Sequence, residues 1–182
     1  MELMHGAPAD MAGREDKEIR SYELLDSLGI EYDRVDHEAA NTIDACVEVD
    51  AVLGTEICKN LFLCNRQKTA FYLLVMPGEK SFHTRELSDQ LGVARLSFAD
   101  AEHMEAFLDV KPGSVTIMGL ANDKESRVRL VIDEDVLAQP YFACHPCVNT
   151  SSLKFTTRDL TEKLIPAMGH APTVVHLASE EQ

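Results

Sequence analysis

A chain of 182 residues fits one domain with a sizeable core, and 45% hydrophobic residues mark it as globular. The formal net charge of −14 weighs against a protein that coats nucleic acid nonspecifically, which needs a broad basic face, yet leaves room for one that grips a terminus with a few cations. No apolar run is long enough to cross a bilayer, and five cysteines, an odd number, point to reduced thiols in a cytoplasmic protein.

Residues 1–17 mix Asp, Glu, Gly and Pro without an apolar signal core and are expected to be a flexible tail carrying no export signal. Ile19, Tyr22, Leu25 and Leu28 at helical spacing predict a helix over 18–28, stopped by Gly29. Residues 30–35 suit a short strand. Asn41 or Thr42 can cap a second helix reaching about Leu53, with Asp44 in its first turn and Gly54 beyond its end.

The apolar run over 57–64 contains Lys59. As a strand it places Ile57, Lys59, Leu61 and Leu63 on one face and Cys58, Asn60, Phe62 and Cys64 on the other, so both faces are largely apolar. An ammonium there must reach water, find a partner or meet an anionic ligand, because an unpaired buried charge is very costly. The alternative is a lysine at the strand entrance whose stem packs while its head reaches solvent. A polar turn at 65–68 and a second apolar run over 70–76 complete a predicted hairpin.

Pro77-Gly78 breaks that strand. Thr84 caps a short helix ending at Gly92, residues 95–98 suit a strand, and 100–108 a helix with Met104, Phe107 and Leu108 as its apolar members. Residues 111–114 form a turn into 115–118. Residues 127–133 alternate charged and apolar side chains, as expected of a half-solvated strand. Short strands are predicted over 141–144 and 152–155, and a last helix over about 158–168, closed by Gly169, with 171–182 as a C-terminal tail. Strands and helices alternate without a repeating βαβ unit, which predicts one α+β domain over 18–170: a curved, mixed, barrel-like β-sheet with packed helices.

Several chemistries lack local support. There is no Walker loop, no dinucleotide-binding glycine fingerprint and no Gly-x-Ser-x-Gly elbow. Cys144-His145-Pro146-Cys147 is a C-x-x-C, but the extended residues after it supply no helix N-terminus to activate a thiol. No second close pair completes a zinc site either. No cofactor or metal is expected. His145 is constrained by Pro146, and His37 and His83 are its competitors. Lys59, Arg66, Lys68, Lys124, Arg127, Arg129, Lys154 and Arg158 are candidates for a local cationic patch or for solvated strand edges.

Three segments in order carry a resemblance. They are Lys59-Asn60-Leu61-Phe62-Leu63; Pro112-Gly113-Ser114-Val115-Thr116 with Gly119-Leu120-Ala121-Asn122-Asp123; and His145-Pro146-Cys147-Val148-Asn149-Thr150. Together they resemble the YbaK/ProX family of freestanding aminoacyl-tRNA deacylases, specifically its prolyl-tRNA editing branch, over about Tyr22 to Leu164. The resemblance implies hydrolysis of the ester joining a wrong amino acid, typically alanine, to proline tRNA. It implies the 3′ end of that tRNA as partner, with prolyl-tRNA synthetase a possible second one, and neither membrane nor DNA. It places Lys59 near the terminal adenosine and its phosphate, the Gly113 loop at the reacting ester, and His145 beside a small amino-acid pocket. Thr42, Ile43, Ser114 and Asn149 are the implied substrate contacts. Water would attack with help from the ribose hydroxyl of the substrate, without a covalent enzyme intermediate. Other small aminoacyl groups, such as cysteinyl, and a noncatalytic tRNA- or synthetase-binding module are the competing readings. One departure stands out: where the family's loop usually has proline four residues after the glycine, this chain has Ile117, which restores a backbone N–H.

Overall fold

The computed structural model describes residues 1–39 and 43–179, with Ile43 described in its backbone alone. The chain is α+β, as expected, but its strands form two sheets that do not close into a barrel. The first sheet has the order β1 (Leu3–His5), β2 (Asp33–Asp36), β8 (Ser151–Thr156), β7 (Tyr141–Cys144), all antiparallel. The second has the order β5 (Ser97–Phe98), β3 (Lys59–Cys64), β4 (Phe71–Met76), β6 (Val128–Asp133), β9 (Thr173–Val175), antiparallel as far as β4 and parallel beyond.

The predicted hairpin is β3–β4, in register from Cys64 opposite Phe71 to Lys59 opposite Met76. Every residue of β4 is buried because both faces of this sheet are covered. On one face Phe62, Leu73, Val75, Leu130 and Ile132 meet Phe142, Leu153 and Phe155 of the first sheet. The same core takes Tyr22 and Leu25 of α1 (Asp16–Ser27), and Met104 and Leu108 of α4 (Ala101–Leu108). On the other face Leu63, Leu74, Met76 and Val131 pack with Leu87 of α3 (Thr84–Leu91), Leu96, Val175 and Leu177. The alternation of β6 proves misleading: only Arg129 is exposed, because pairing with β4 and β9 buries the other residues.

α2 (Ile43–Leu53) lies on the outer side of the first sheet, where Val49 and Leu53 pack against Val35 and Ala143. Its expected cap at Asn41 or Thr42 falls outside the described residues. α5 (Glu134–Leu137) follows β6, and residues 157–167 form one continuous helical stretch with a π turn over Leu160–Leu164. Gly29, Gly54, Gly92 and Gly169 all adopt positive φ beyond their helices, as their positions predict.

The expected tails at 1–17 and 171–182 each contribute a strand, β1 and β9. Arg14 makes the N-terminal segment part of the structure. Its guanidinium donates to Glu18 Oε2 at 2.6 Å and to Asp36 Oδ2 at 2.9 Å. Asp36 also accepts from Arg34 and from Ser151 Oγ, the latter at 2.7 Å. Burial raises the Asp36 carboxyl, but these donors override it and hold the group well below the usual carboxylate range. A depressed folded-state pKa stabilises the fold at neutral pH, and that contribution fades as pH falls through the carboxylate range.

Candidate functional site

One cleft of about 520 Å³ gathers residues far apart in sequence: His37 after β2, Cys46, Val47, Val49 and Asp50 on α2, Lys59 at the start of β3, Gly78, Gly113, and His145, Asn149 and Ser152 around β8. It opens where α2 and the first sheet meet the end of the β3–β4 hairpin. Cys58 N–H donating to the Ala143 carbonyl at 3.4 Å links the two sheets at that point.

Lys59 is the first residue of β3, so it stands at the strand entrance and is half-buried. Its ammonium donates to the Lys80 carbonyl. One of its three N–H bonds is thereby committed, and the others have no hydrogen-bond partner among the described residues and can meet an anion. The remaining candidate cations do not join it. Lys68 pairs with Asp100, Arg127 with Glu125 and Arg158 with Glu162, while Lys154 donates to the Leu53 carbonyl.

The glycine loop is a type II turn by sequence and geometry. Pro112 fixes the second position, Gly113 supplies φ +88° at the third, and Ser114 N–H closes the turn on the Lys111 carbonyl at 3.0 Å. Gly113 N–H donates to nothing among the described residues, so it remains available to a ligand. An L side chain at this φ is strained by roughly 1–2 kcal/mol. Gly113→Ala is therefore expected to shift the loop and to lower turnover more than it lowers the unfolding midpoint, compared by parallel kinetics and thermal melts.

Ile117, the residue in place of the family proline, is fully buried in the main core and does not line the cleft. The N–H that proline would lack is used: it donates to Asn60 Oδ1 at 2.9 Å, and Asn60 Nδ2 donates to the Cys58 carbonyl at 3.1 Å. The Ile117 N–H thus ties the loop to β3, and its side chain lies outside the cleft lining. At the far end, Thr116 Oγ1 donates to the His145 carbonyl at 2.7 Å, joining the loop to the third motif.

His145 Nδ1 lies 2.9 Å from the Ser151 carbonyl. A carbonyl only accepts, so Nδ1 carries the proton and, in the neutral ring, Nε2 is left as an acceptor. Burial, reinforced by the neighbouring His37, lowers the His145 pKa against the opposing Ser151 carbonyl and keeps the ring neutral at pH 7. Of the other predicted contacts, Asn149 lines the cleft beside Gly113, with Nδ2 3.7 Å from where a Gly113 Cβ would stand. Ser114 is buried and lies outside the lining. Thr42 and the Ile43 side chain are outside the described residues. His83 precedes α3 and does not line the cleft.

The C-x-x-C pair has the opposite of redox character: both thiols are buried, and burial pushes Cys147 up to about 11 and Cys144 higher still. Cys58 is likewise pushed up to about 12 by burial and nearby carboxylates. The one metal-like grouping among the described residues, Asp133, Asp135 and His176, already has the Lys80 ammonium 2.9 Å from Asp133 and 2.7 Å from Asp135.

Sequence reading named His37 only as a competitor of His145, and missed Ser152 and the carboxylates of the cleft. Glu56 reaches across Gly78, where a Cβ would collide with its Oε1 and with the Ile57 carbonyl. Burial and the adjoining Glu79 raise the Glu56 carboxyl to about 7, against the pull of Lys59. Near neutrality Glu56 is thus partly protonated, which reduces repulsion of an anionic ligand. Above pH 7 it ionises fully, so the affinity for an anionic ligand is expected to fall about two- to fivefold by pH 8.5, a loss of about 1 kcal/mol or less at an exposed pair. Glu56→Gln is expected to flatten that fall in a pH series.

Comparison with known proteins places the chain in a family. Residues 37–163 match the family model of the aminoacyl-tRNA editing domain. The chain is 29% identical over 153 residues to the prolyl-tRNA editing protein ProX of Acetoanaerobium sticklandii, covering 84% of this chain and 93% of the relative. It is 28% identical over 171 residues to the prolyl-tRNA synthetase associated domain-containing protein 1 of Danio rerio, covering 93% and 89%. The fold is shared with a crystal structure described as a putative trans-editing enzyme for prolyl tRNA synthetase, with TM-score 0.65 and 16% identity over 90% of this chain and 99% of that one. The model spans every cleft segment from His37 to Ser152, and the chain belongs to the aminoacyl-tRNA editing domain family.

Proposed function

We propose that the protein hydrolyses the ester of a misacylated tRNA in trans, with alanyl-tRNA for proline as its substrate. The observation that carries this reading is the meeting of Lys59, Gly113, His145 and Asn149, from three separate motifs, in one cleft. Lys59 receives the phosphate of the terminal nucleotide, which lets a chain of net charge −14 hold an RNA end through one or two contacts. Gly113 N–H meets the ester carbonyl oxygen as it becomes an oxyanion, an interaction worth about 3–4 kcal/mol per donor. His145 and α2 bound the acyl pocket.

Water attacks the carbonyl with the ribose hydroxyl of the substrate assisting. The tetrahedral intermediate then collapses to free amino acid and tRNA. Raised thiol pKa values at Cys58, Cys144 and Cys147 support a reaction without a thiolate nucleophile at these positions. Rejecting the larger proline from a small pocket is physically easier than rejecting alanine from a proline-sized one, which is why a second sieve is useful. The names of the relatives support prolyl-tRNA synthetase as the enzyme beside which it works, and the odd number of cysteines fits a cytoplasmic location.

The test is a panel of proline tRNA charged with alanine, cysteine or proline. Alanine is expected to leave fastest while the prolyl ester stays intact. Preference for cysteine would move the assignment to another small aminoacyl group, and binding without release would make the protein a noncatalytic module.

A further inference from the structure

Behind His145 runs a chain of hydrogen bonds with a fixed direction. His37 Nδ1 lies 2.8 Å from the Glu38 carbonyl, which can only accept, so Nδ1 carries a proton and the neutral ring presents an acceptor at Nε2. That Nε2 lies 2.8 Å from Ser152 Oγ, so the serine hydroxyl donates to it. With its hydrogen turned to His37, Ser152 Oγ presents lone pairs to His145 Nδ1–H at 3.3 Å, beside the Ser151 carbonyl at 2.9 Å. The two imidazole centroids are 6.2 Å apart, and Ser152 is fully buried on β8 opposite Val35.

We propose that His37 and Ser152 are positioning residues that hold His145 in the tautomer with its proton on Nδ1. This leaves Nε2, which has no partner among the described residues, as the hydrogen-bond acceptor for the ribose hydroxyl or the attacking water. The proposal rests on the deacylase reading. The direction of the chain is its essential feature. Without an acceptor at position 37, the Ser152 hydroxyl is free to turn its hydrogen toward His145 Nδ1, which leaves only the Ser151 carbonyl, among the described residues, to favour Nδ1–H and admits the ring with its proton on Nε2 as a second population. That ring would offer a donor to the reacting centre where an acceptor is required.

Nitrogen-15 NMR of the histidine rings at pH 8 tests this without any tRNA. His145 is expected as the single Nδ1–H tautomer in wild type and as a mixture in His37→Leu, with the wild-type pattern kept in His37→Gln, whose amide oxygen can still accept from Ser152. In the deacylation assay, His37→Leu and Ser152→Ala are expected to lower kcat roughly tenfold with KM unchanged, the loss of about one hydrogen bond, and His37→Gln to retain most of the rate. A mixed tautomer in wild type, or an unchanged tautomer in His37→Leu, would overturn the proposal. A folded protein that releases no amino acid from any charged tRNA would instead refute the deacylase reading, leaving the ring spectra to decide the tautomer.

Discussion

Lys80→Ala is expected to lower the free energy of unfolding by about 3–5 kcal/mol, the cost of stranding a buried charge. The Lys80 side chain is 1% exposed, and its ammonium donates to Asp133, itself fully buried, and to the Leu177 carbonyl at 2.6 Å. Asp133 ends β6 and caps α5 through Asp135 N–H at 3.0 Å, while Leu177 follows β9. One side chain therefore fastens the loop after β4, the end of β6 and the C-terminal segment. Removing the amine leaves a carboxylate in the interior with no cation. Urea unfolding should show the loss as a lower midpoint with an unchanged slope. Lys80→Met combined with Asp133→Asn, which removes both charges and keeps a cap, is expected to recover much of the loss. The Lys80 carbonyl also receives Lys59, so the single substitution should impair the cleft as well as the fold.

Lys59→Ala is expected to lower kcat/KM for misacylated tRNA by about 10- to 100-fold, the value of one or two charge-assisted hydrogen bonds. Its stability should change little, because Lys59 is half-buried at a strand end and, among the described residues, its ammonium bonds only the Lys80 carbonyl. Lys59→Arg keeps the charge but not the shape of the ammonium, and should fall between wild type and alanine. Salt dependence separates this local grip from a coated surface. One or two phosphate contacts give a slope of about −0.7 each in log affinity against log salt for a single strand. A slope several times steeper would mean that cations outside the cleft bind the RNA.

The β3–β4 hairpin was legible because its two apolar runs are separated by a polar turn, whose Asn65 Oδ1 accepts from Thr69 and Ala70 N–H groups. The helix stops were legible because glycine alone adopts positive φ at little cost. β1 and β9 were not: three residues each, Leu3–His5 and Thr173–Val175, they owe their extended form to partners β2 and β6 far along the chain. Within the site, Lys59, Gly113, His145 and Asn149 could be picked out by motif. His37 stood only as a competitor of His145 and Ser152 not at all, because each is a lone polar residue beside or within a strand and gains a role only when β2 and β8 pair. Lys80 was invisible for a similar reason, since a lysine after Pro77-Gly78-Glu79 has the look of a solvated turn. Ile117 shows how sequence and structure divide the work. The departure from the family pattern was plain, but that its N–H serves Asn60 and its side chain faces the core follows only from the fold.

The most direct test of the cleft as an editing site is multiple-turnover release of labelled alanine from alanyl-charged proline tRNA, with protein far below substrate. Many equivalents of alanine per protein molecule are predicted, with prolyl-charged tRNA left intact and release falling at least tenfold in Lys59→Ala. No release above the uncatalysed rate, or equal release by wild type and Lys59→Ala, would contradict it.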